Sequence, residues 1–184
     1  METKEIKLNL GCGRKLLADH INCDFAESIK ADKYFNLESF PYPFDDNSVD
    51  KILMDNVLEH LTDVIATMKE LHRILKPGGI VEIYVPYGKS DWALQDPTHK
   101  HYFTERSMDY FTDEFDCNFY CAARFKILNK DLISGRNSFK NKLRDLLPFK
   151  GVLRYFFWNI YDGVYFKLQK TEGYLTTLYH ASKP

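Results

Sequence analysis

Short apolar runs alternate with turn residues along the first half of the chain. The runs that have the length of buried strands are residues 6–10, 21–24, 34–37, 49–54 and 80–85. Between the last two, apolar side chains recur at spacings of three and four, which predicts a helix over residues 62–75. Strands that alternate with helices are typical of a parallel sheet with helices packed on it. The pattern therefore predicts an α/β fold.

Turn-forming residues set the expected ends of these elements. The Pro-Gly-Gly at 77–79 is expected to end the helix, and Thr104 is expected to cap another helix that runs to about Phe111. The segment 13–21 is too short for a crossover helix with its turns. The sequence predicts a loop or one helical turn there.

The second half of the chain is less regular. Residues 122–128 and 174–180 have the pattern of strands and are expected to pair as the last members of the sheet. Two apolar helical faces are predicted between them. The first consists of Phe139, Leu143, Leu146 and Leu147, and the second of Leu153, Phe156, Phe157, Ile160, Tyr161 and Val164.

Charge is distributed unevenly over a chain whose 184 residues fit one domain, 1–184. Residues 1–112 carry 13 basic and 19 acidic side chains, whereas residues 113–184 carry 12 and 7, so the net charge of −1 is the sum of an acidic front and a basic back. No run of apolar residues is long enough to span a membrane, and the N-terminus lacks the apolar stretch of a signal peptide. A cytoplasmic protein with reduced thiols is therefore expected.

The first strand runs into a glycine turn, Gly11-Cys12-Gly13. Glycine permits positive φ and lets a ligand lie against the backbone. Leu16 occupies the place of the third glycine of a dinucleotide fingerprint, which disfavours a nicotinamide dehydrogenase. Asp24, at the end of the second strand, could accept hydrogen bonds from both hydroxyls of a ribose. The alternatives are a plain turn and a solvated aspartate.

Taken in order, five pieces of the chain resemble the class I S-adenosylmethionine-dependent methyltransferases, of the type 11 kind. They are Leu-Asn-Leu-Gly-Cys-Gly at 8–13, Asp24, the stretch 36–50, Val-Leu-Glu-His-Leu at 57–61 and the stretch 71–79, and together they cover residues 6–86. The resemblance implies a Rossmann-like doubly wound sheet that is mostly parallel, with an antiparallel last strand and helices on both faces. It also implies S-adenosylmethionine as the cofactor. Residues 1–112 would be the cofactor-binding half, and residues 113–184 would hold the closing strands and a basic, aromatic helical insertion at about 138–170.

The same resemblance assigns cofactor contacts residue by residue. The loop Gly11, Cys12 and Gly13 would line the methionine part, and Asp24 would bind the ribose. Asn36 stands where the family usually has Asp to read the adenine amino group, and Leu37 would pack on the adenine. Asp55 and Asn56 would face the sulfonium. These are expectations carried over from the family.

A general base is needed if the methyl acceptor is protonated. The best candidates for it are Asp96, His99 and His101, which follow the fifth strand. The alternative is that these residues only cap a helix and pin their loop. Some family members hold a divalent ion with a Glu-His pair, a further Glu and a distant His. In this chain Asn56 stands at the position of the further Glu, and its amide is a poor ligand, so no metal is expected. Glu59 and His60 are then expected to line the pocket. The alternative is a metal site formed by Glu59, His60 and His99.

The acceptor is expected to be a small molecule or a glycan- or lipid-linked group. The segment 54–57 lacks the Pro-Pro-aromatic turn of nucleic-acid amino methyltransferases, so DNA is disfavoured. RNA is also not the expected acceptor, although the basic back half keeps it as an alternative. The alternative function is a non-catalytic domain that binds S-adenosylmethionine or a nucleoside as a regulator.

The basic segment 139–170 contains nine aromatic residues. Four interpretations of it stay open at this point. It could be a substrate lid, a patch for an anionic membrane, a dimer surface or ordinary core-packing helices with solvated charges. The oligomeric state is equally open.

Overall fold

The computed structural model describes residues 5–116, 118–134 and 146–172. The strands are β1 (Lys7–Leu10), β2 (Ile21–Asp24), β3 (Lys33–Tyr34), β4 (Val49–Asp55), β5 (Leu75–Pro86), β6 (Arg124–Ile133) and β7 (Gly163–Thr171). They form one sheet in the order β3-β2-β1-β4-β5-β7-β6. Neighbours among β1 to β5 are parallel, and β7 is antiparallel to both β5 and β6. The predicted Rossmann-like, mostly parallel sheet with an antiparallel last strand is confirmed.

The described helices are few and mostly short. They are α1 (Val64–Ile74), α2 (Asp91–Leu94), α3 (Lys150–Phe156) and two 3₁₀ helices, Leu58–His60 and Ser107–Phe111. The side chain of Asp63 caps α1 by accepting a hydrogen bond from the N–H of Ala66. The apolar face of α1, which includes the fully buried Met68 and Leu71, packs against the core, as the spacing predicts. None of the helices in the described ranges is long and apolar enough to cross a membrane.

The helix α1 ends before the Pro-Gly-Gly at 77–79, as expected, but the fifth strand begins at Leu75 and not at residue 80. The helix ends at Ile74, and Leu75 already pairs with Val49 of β4. The register of this pair of strands shifts between Val49 and Lys51, so the extra residues 76–79 are accommodated within β5. Gly78 has a φ of +76°, which suits a bulge of this kind.

The long helix predicted through Val164 is wrong. Helix α3 ends at Phe156, and residues 163–171 are a strand instead, so the expected insertion at 138–170 is helical only in part. Along β7 every second side chain is buried, among them Val164, Phe166 and Leu168. This period of two reflects a strand with one face on the core. The predicted strand 174–180 lies outside the described residues, as do Phe139 and Leu143.

Three smaller expectations also change. The third strand is only Lys33–Tyr34, shorter than predicted, and the strand expected at 122–128 extends to Ile133. Thr104 does not begin an α-helix: its hydroxyl accepts from the N–H of Arg106, and the helix that follows is the 3₁₀ turn Ser107–Phe111.

Residues 11–20 connect β1 to β2 without a helix, as expected. The loop lies over two buried asparagines on adjacent strands, Asn9 and Asn22. The amide of Asn9 donates to the carbonyl of Lys15 (2.7 Å) and to Oδ1 of Asn22 (3.0 Å). Asn22 accepts from the N–H of Leu17 (2.9 Å) and donates to its carbonyl (3.1 Å). The carboxylate of Asp32 accepts from the side chain and backbone of Asn22. Side-chain amides therefore pair the backbone groups that the loop brings to the sheet.

We expect Asn22→Ala to lower the free energy of unfolding by about 2–3 kcal/mol, because it leaves the N–H and the carbonyl of Leu17 and the amide of Asn9 without their partner. Urea denaturation followed by circular dichroism measures the change. Asn129→Ala is the matched control: the side chain of Asn129 is exposed and donates to Asp131, so its loss should cost less than about 0.5 kcal/mol. Equal effects of the two substitutions would contradict the role given to Asn22.

Candidate active site

The carboxyl ends of β2, β1, β4 and β5 lie side by side along one edge of the sheet. Leu10 pairs with Cys23 of β2 and with Met54 of β4, and Asp55 pairs with Tyr84 of β5. Ligands of open α/β sheets bind outside this edge. The residues that follow these strands are therefore the candidate site.

The turn after β1 needs glycine for two different reasons. Gly11 and Gly13 have φ values of +64° and +50°, in the left-handed region. A Cβ on Gly11 would stand 2.6 Å from Cγ2 of Val57, which no side chain permits, whereas Gly13 has nothing within 4 Å of that position. The N–H of Cys12 donates to the carbonyl of Cys23 (3.0 Å) and ties the turn to β2. Burial raises the pKa of the Cys12 thiol, which keeps it protonated and suits a lining role.

Asp24 joins this turn to the end of β2. One oxygen of its carboxylate accepts from the N–H of Gly13 (2.9 Å), and the other accepts from the N–H of Ala26 (3.0 Å). Each carboxylate oxygen has two acceptor positions, so each can accept one more hydrogen bond. The Asp24 carboxylate thus offers acceptors and no donor, which suits the hydroxyls of the expected ribose. The ribose contact itself stays a prediction.

The two residues expected at the adenine lie just beyond β3. Asn36 is exposed, and its side-chain oxygen accepts from the N–H of Glu38 (2.9 Å), so the acceptor proposed for the adenine amino group also closes a local turn. Leu37 is buried in the core, and its carbonyl accepts from the hydroxyl of Tyr42. Their adenine contacts remain predictions.

The end of β4 is polar and strained. Asn56 has a φ of +55°, and its amide donates to Asp55 (2.8 Å). Asp55 also forms an ion pair with Lys15, which reaches across from the turn after β1. An ion pair thus joins the turn after β1 to the end of β4.

A cavity of about 380 Å³ opens at this point. It is lined by Lys15, Asp55, Asn56, Tyr84, Val85, Pro86, Trp92, Ile133, Asp162, Gly163 and Val164. Of the residues selected from the sequence, only Asp55 and Asn56 line it. Gly11, Gly13 and Asp24 follow the neighbouring strands β1 and β2 on the same edge.

Sequence reasoning missed Lys15, Trp92 and Asp162. Because β7 runs antiparallel, its first residue, Gly163, pairs with Pro86 at the end of β5 and brings Asp162 to the edge. The alternating burial of β7 would have pointed to this placement. For Lys15 the available signal was its position two residues after the second glycine of the turn.

The candidate general bases do not line the cavity. His99 is almost fully buried, with Nδ1 at 2.8 Å from the carbonyl of Ala93, and His101 has Nε2 at 3.2 Å from the carbonyl of Thr62. Asp96 accepts from the hydroxyl and N–H of Thr98. These contacts fix the loop after α2. The role of the three residues as general bases stays a prediction.

Glu59 lies beside this loop and is 1% exposed, with no hydrogen-bond partner for either carboxylate oxygen. Nε2 of His99 is 4.0 Å from Oε1 of Glu59, and the rings of His60 and His99 meet edge to face at 4.7 Å. One ligand atom from each of these three residues lies within 4.8 Å of the other two, so among the described residues they are the group that could hold a metal ion. The expectation that no metal is bound stays a prediction. Burial raises the pKa of Glu59 to about 7.

Comparison with known proteins supports the family indicated by the sequence. Residues 8–83 match the family model described as a methyltransferase domain. The S-adenosylmethionine-dependent methyltransferase of Archaeoglobus fulgidus has a similar structure, with a TM-score of 0.59, 14% identity, and coverage of 92% of this chain and 87% of that one. The resemblance to class I methyltransferases is confirmed, and the family model implies S-adenosylmethionine as the cofactor.

Two curated relatives match shorter stretches. Demethylmenaquinone methyltransferase of Staphylococcus epidermidis is 49% identical over 39 residues, which are 21% of this chain and 16% of that protein. Phosphoethanolamine N-methyltransferase 2 of Caenorhabditis elegans is 32% identical over 75 residues, 41% of this chain and 17% of that protein. The chain therefore aligns with about a sixth of the length of either relative.

The buried Glu59 should make stability fall as the pH rises. Between the ordinary pKa of 4.5 and the raised value of about 7, the folded protein keeps a proton that the unfolded chain releases, so the free energy of unfolding declines over this window and levels off above it. Glu59→Gln, which stays neutral, should be more stable than the parent at pH 8, by on the order of 3 kcal/mol, and nearly equal to it at pH 4. Urea unfolding at a series of pH values measures the difference.

Glu38→Gln is the matched control, because the pKa of Glu38 is shifted in the opposite direction and stability should change with pH in the opposite sense. Hydrogen bonds from Thr62 and Lys100 lower the pKa of Glu38 to about 2. The stabilisation that the ionised Glu38 gives to the folded protein is present at neutral pH and is lost as the pH falls. The Glu38→Gln variant should therefore be less stable than the parent at pH 8. A Glu59→Gln variant whose stability follows the parent's pH profile would contradict the assigned burial.

Proposed function

We propose that this chain, with its class I methyltransferase fold and its methyltransferase-domain match over residues 8–83, transfers the methyl group of S-adenosylmethionine to an acceptor bound in the cavity beside β4 and β5. The observation that carries the proposal is the adjacency of two sites on one sheet edge. The glycine turn and Asp24 follow β1 and β2, the cavity lies at the ends of β4 and β5, and Lys15 extends from the turn to Asp55 at the cavity. A cofactor and an acceptor could therefore meet at Asp55 and Asn56.

The residues of the first site fit S-adenosylmethionine. Only a glycine can occupy position 11, because Val57 fills the space of a side chain, and the open side of Gly13 leaves the backbone accessible. Asp24 retains acceptor positions for a ribose diol. When bound, S-adenosylmethionine supplies an electrophilic methyl group on a positively charged sulfur.

Transfer of a methyl group is a displacement that depends on alignment, and the chain contributes mainly by position. Asp55 and Asn56 are expected to face the sulfonium, and the carboxylate of Asp55 favours positive charge there. Lys15 neutralises Asp55 in its present position. Pro86, Val85 and Trp92 provide an apolar wall on one side of the cavity.

The acceptor is proposed to be a small molecule or the small head of a lipid- or glycan-linked molecule. A cavity of about 380 Å³ is at the lower end of the range for small-molecule sites. The names of the two curated relatives refer to demethylmenaquinone and phosphoethanolamine, which supports a non-nucleic-acid acceptor. Asp162 and Tyr84 are the polar groups through which the cavity could orient it.

Asp24→Ala should weaken binding of S-adenosylmethionine at least about tenfold, since it removes the acceptors for the ribose. Isothermal titration calorimetry gives the affinity, and thermal unfolding verifies that the variant is folded. Glu27→Ala, which removes an exposed carboxylate from the same loop, is the control and should bind as the parent does. Unchanged affinity in a folded Asp24→Ala protein would refute the ribose assignment.

Transfer of labelled methyl groups from S-adenosylmethionine into a small-molecule extract tests catalysis itself. Binding of the cofactor with no transfer to any fraction would favour the alternative, a non-catalytic cofactor-binding domain. No binding by the folded parent would reject both functions.

A further inference from the structure

Helix α3 and its flanks expose an unusual number of large apolar side chains. None of the seven residues of α3 is buried. The exposed apolar residues of this region, here called the α3 surface, are Leu146, Leu147, Phe149, Val152, Tyr155, Phe156, Phe157 and Trp158, joined by Trp92 of α2. Phe149 is 81% exposed and Phe156 is 76% exposed. Large exposed apolar patches of this kind mark interaction sites.

The α3 surface is firmly attached to the body of the protein. Nζ of Lys89 donates to the carbonyls of Arg154 and Tyr155, and Arg154 forms an ion pair with Glu105. The indole N–H of Trp158 donates to Asp91 at the start of α2 (2.9 Å). The aromatic side chains therefore project from a fixed platform.

This platform borders the cavity proposed for the acceptor. Trp92 belongs to both: it lines the cavity, and it is 58% exposed. The hydrogen bond between Trp158 and Asp91 places the end of α3 beside α2. A molecule that lay against the α3 surface would thus be next to the cavity opening.

Charge distinguishes among the occupants such a surface could have. Residues 146–158, which carry most of the α3 surface, contain two basic side chains, Lys150 and Arg154, and no acidic one. A symmetric dimer through this face would bring like charges together, which is unfavourable. An anionic partner is favoured instead.

The apolar chemistry favours a lipid surface over a nucleic acid. Aromatic side chains could stack on bases, but Leu146, Leu147 and Val152 present no π-face and have nothing to contribute to stacking. Exposed Leu and Phe with Trp and Tyr at their edge, flanked by basic residues, are the composition of segments that lie at the membrane interface.

We propose that the α3 surface docks on anionic lipid bilayers, with Phe149 and Phe156 entering the acyl boundary, and that the cavity takes its acceptor from that surface. The statement about the acceptor rests on the proposed function. Docking itself does not, because it requires neither cofactor nor methyl transfer.

Co-sedimentation with vesicles tests the docking. The chain should bind vesicles of phosphatidylcholine with phosphatidylglycerol, and should bind more weakly to phosphatidylcholine alone and at high salt. The double variant Phe149→Asn and Phe156→Ser should lose about tenfold or more in vesicle affinity. Asn tolerates the left-handed backbone at position 149, where φ is +57°.

Phe119→Ser is the matched control. Phe119 is 79% exposed, and it precedes the start of β6, where Arg124 pairs with Thr171, whereas the α3 surface adjoins the other end of β7. This variant should bind vesicles as the parent does. Thermal unfolding of both variants shows that each is folded.

The proposal is overturned by three results. One is absence of binding to the anionic vesicles; another is equal binding by the double variant. The third is evidence that the α3 surface binds a different partner. In that case vesicle binding is absent, and the parent forms a dimer in analytical ultracentrifugation, or binds an oligoribonucleotide, whereas the double variant does not. Calorimetry with S-adenosylmethionine on the same samples shows separately whether the proposed function holds, so the two failures are distinguishable.

Discussion

The loop at 11–20 depends on two buried asparagines, and the candidate site depends on that loop. The faces of a parallel sheet are normally covered by crossover helices, which satisfy their own backbone hydrogen bonds. A loop over the same face brings N–H and carbonyl groups that need partners away from water. Asn9 and Asn22 supply them, because an amide side chain both donates and accepts. The polar pair on the face of β1 and β2 is therefore what makes a helix-free connection stable.

Most of the parallel part of the fold could be predicted from the sequence, since its signals are local. The strands at 21–24 and 49–54 and the helix α1 are marked by apolar periodicity, and all three are found close to their predicted bounds. The shortness of the segment 13–21 correctly predicted that no helix connects β1 to β2. The predicted start of the fifth strand was wrong because strand pairing overrides the local signal. Pro-Gly-Gly at 77–79 is typical of a helix end, yet here it lies within β5, which pairs with β4 on both sides of it.

The antiparallel strand β7 shows why the other half of the site escaped sequence reasoning. Val164 fits the helical spacing of the preceding aromatic residues, so it was placed with them, although Phe166 and Leu168 continue a period of two. The error also concealed Asp162 and Gly163, which line the cavity only because β7 runs antiparallel to β5. Residues that follow parallel strands, such as Asp24 and Asp55, could be selected because the edge to which they belong is known from the topology. Lys15 reaches that edge through its side chain, which pairs with Asp55; its position after the glycine turn places it near the edge, but the direction of its side chain depends on the fold.

The two functions of the loop at 11–20, covering the sheet and forming the site, cannot be separated physically. The carbonyl of Lys15 is held by Asn9 below the loop, and the ammonium of Lys15 pairs with Asp55 above the sheet edge. Two residues earlier, the N–H of Gly13 is committed to Asp24. A helix in this place would hold its backbone by itself, and the sheet face could be apolar. Here the backbone that carries Gly13 and Lys15 is held by the polar pair beneath it. Asn9 and Asn22 are not among the residues that line the cavity, yet they fix the geometry of this sheet edge through the backbone of a single loop.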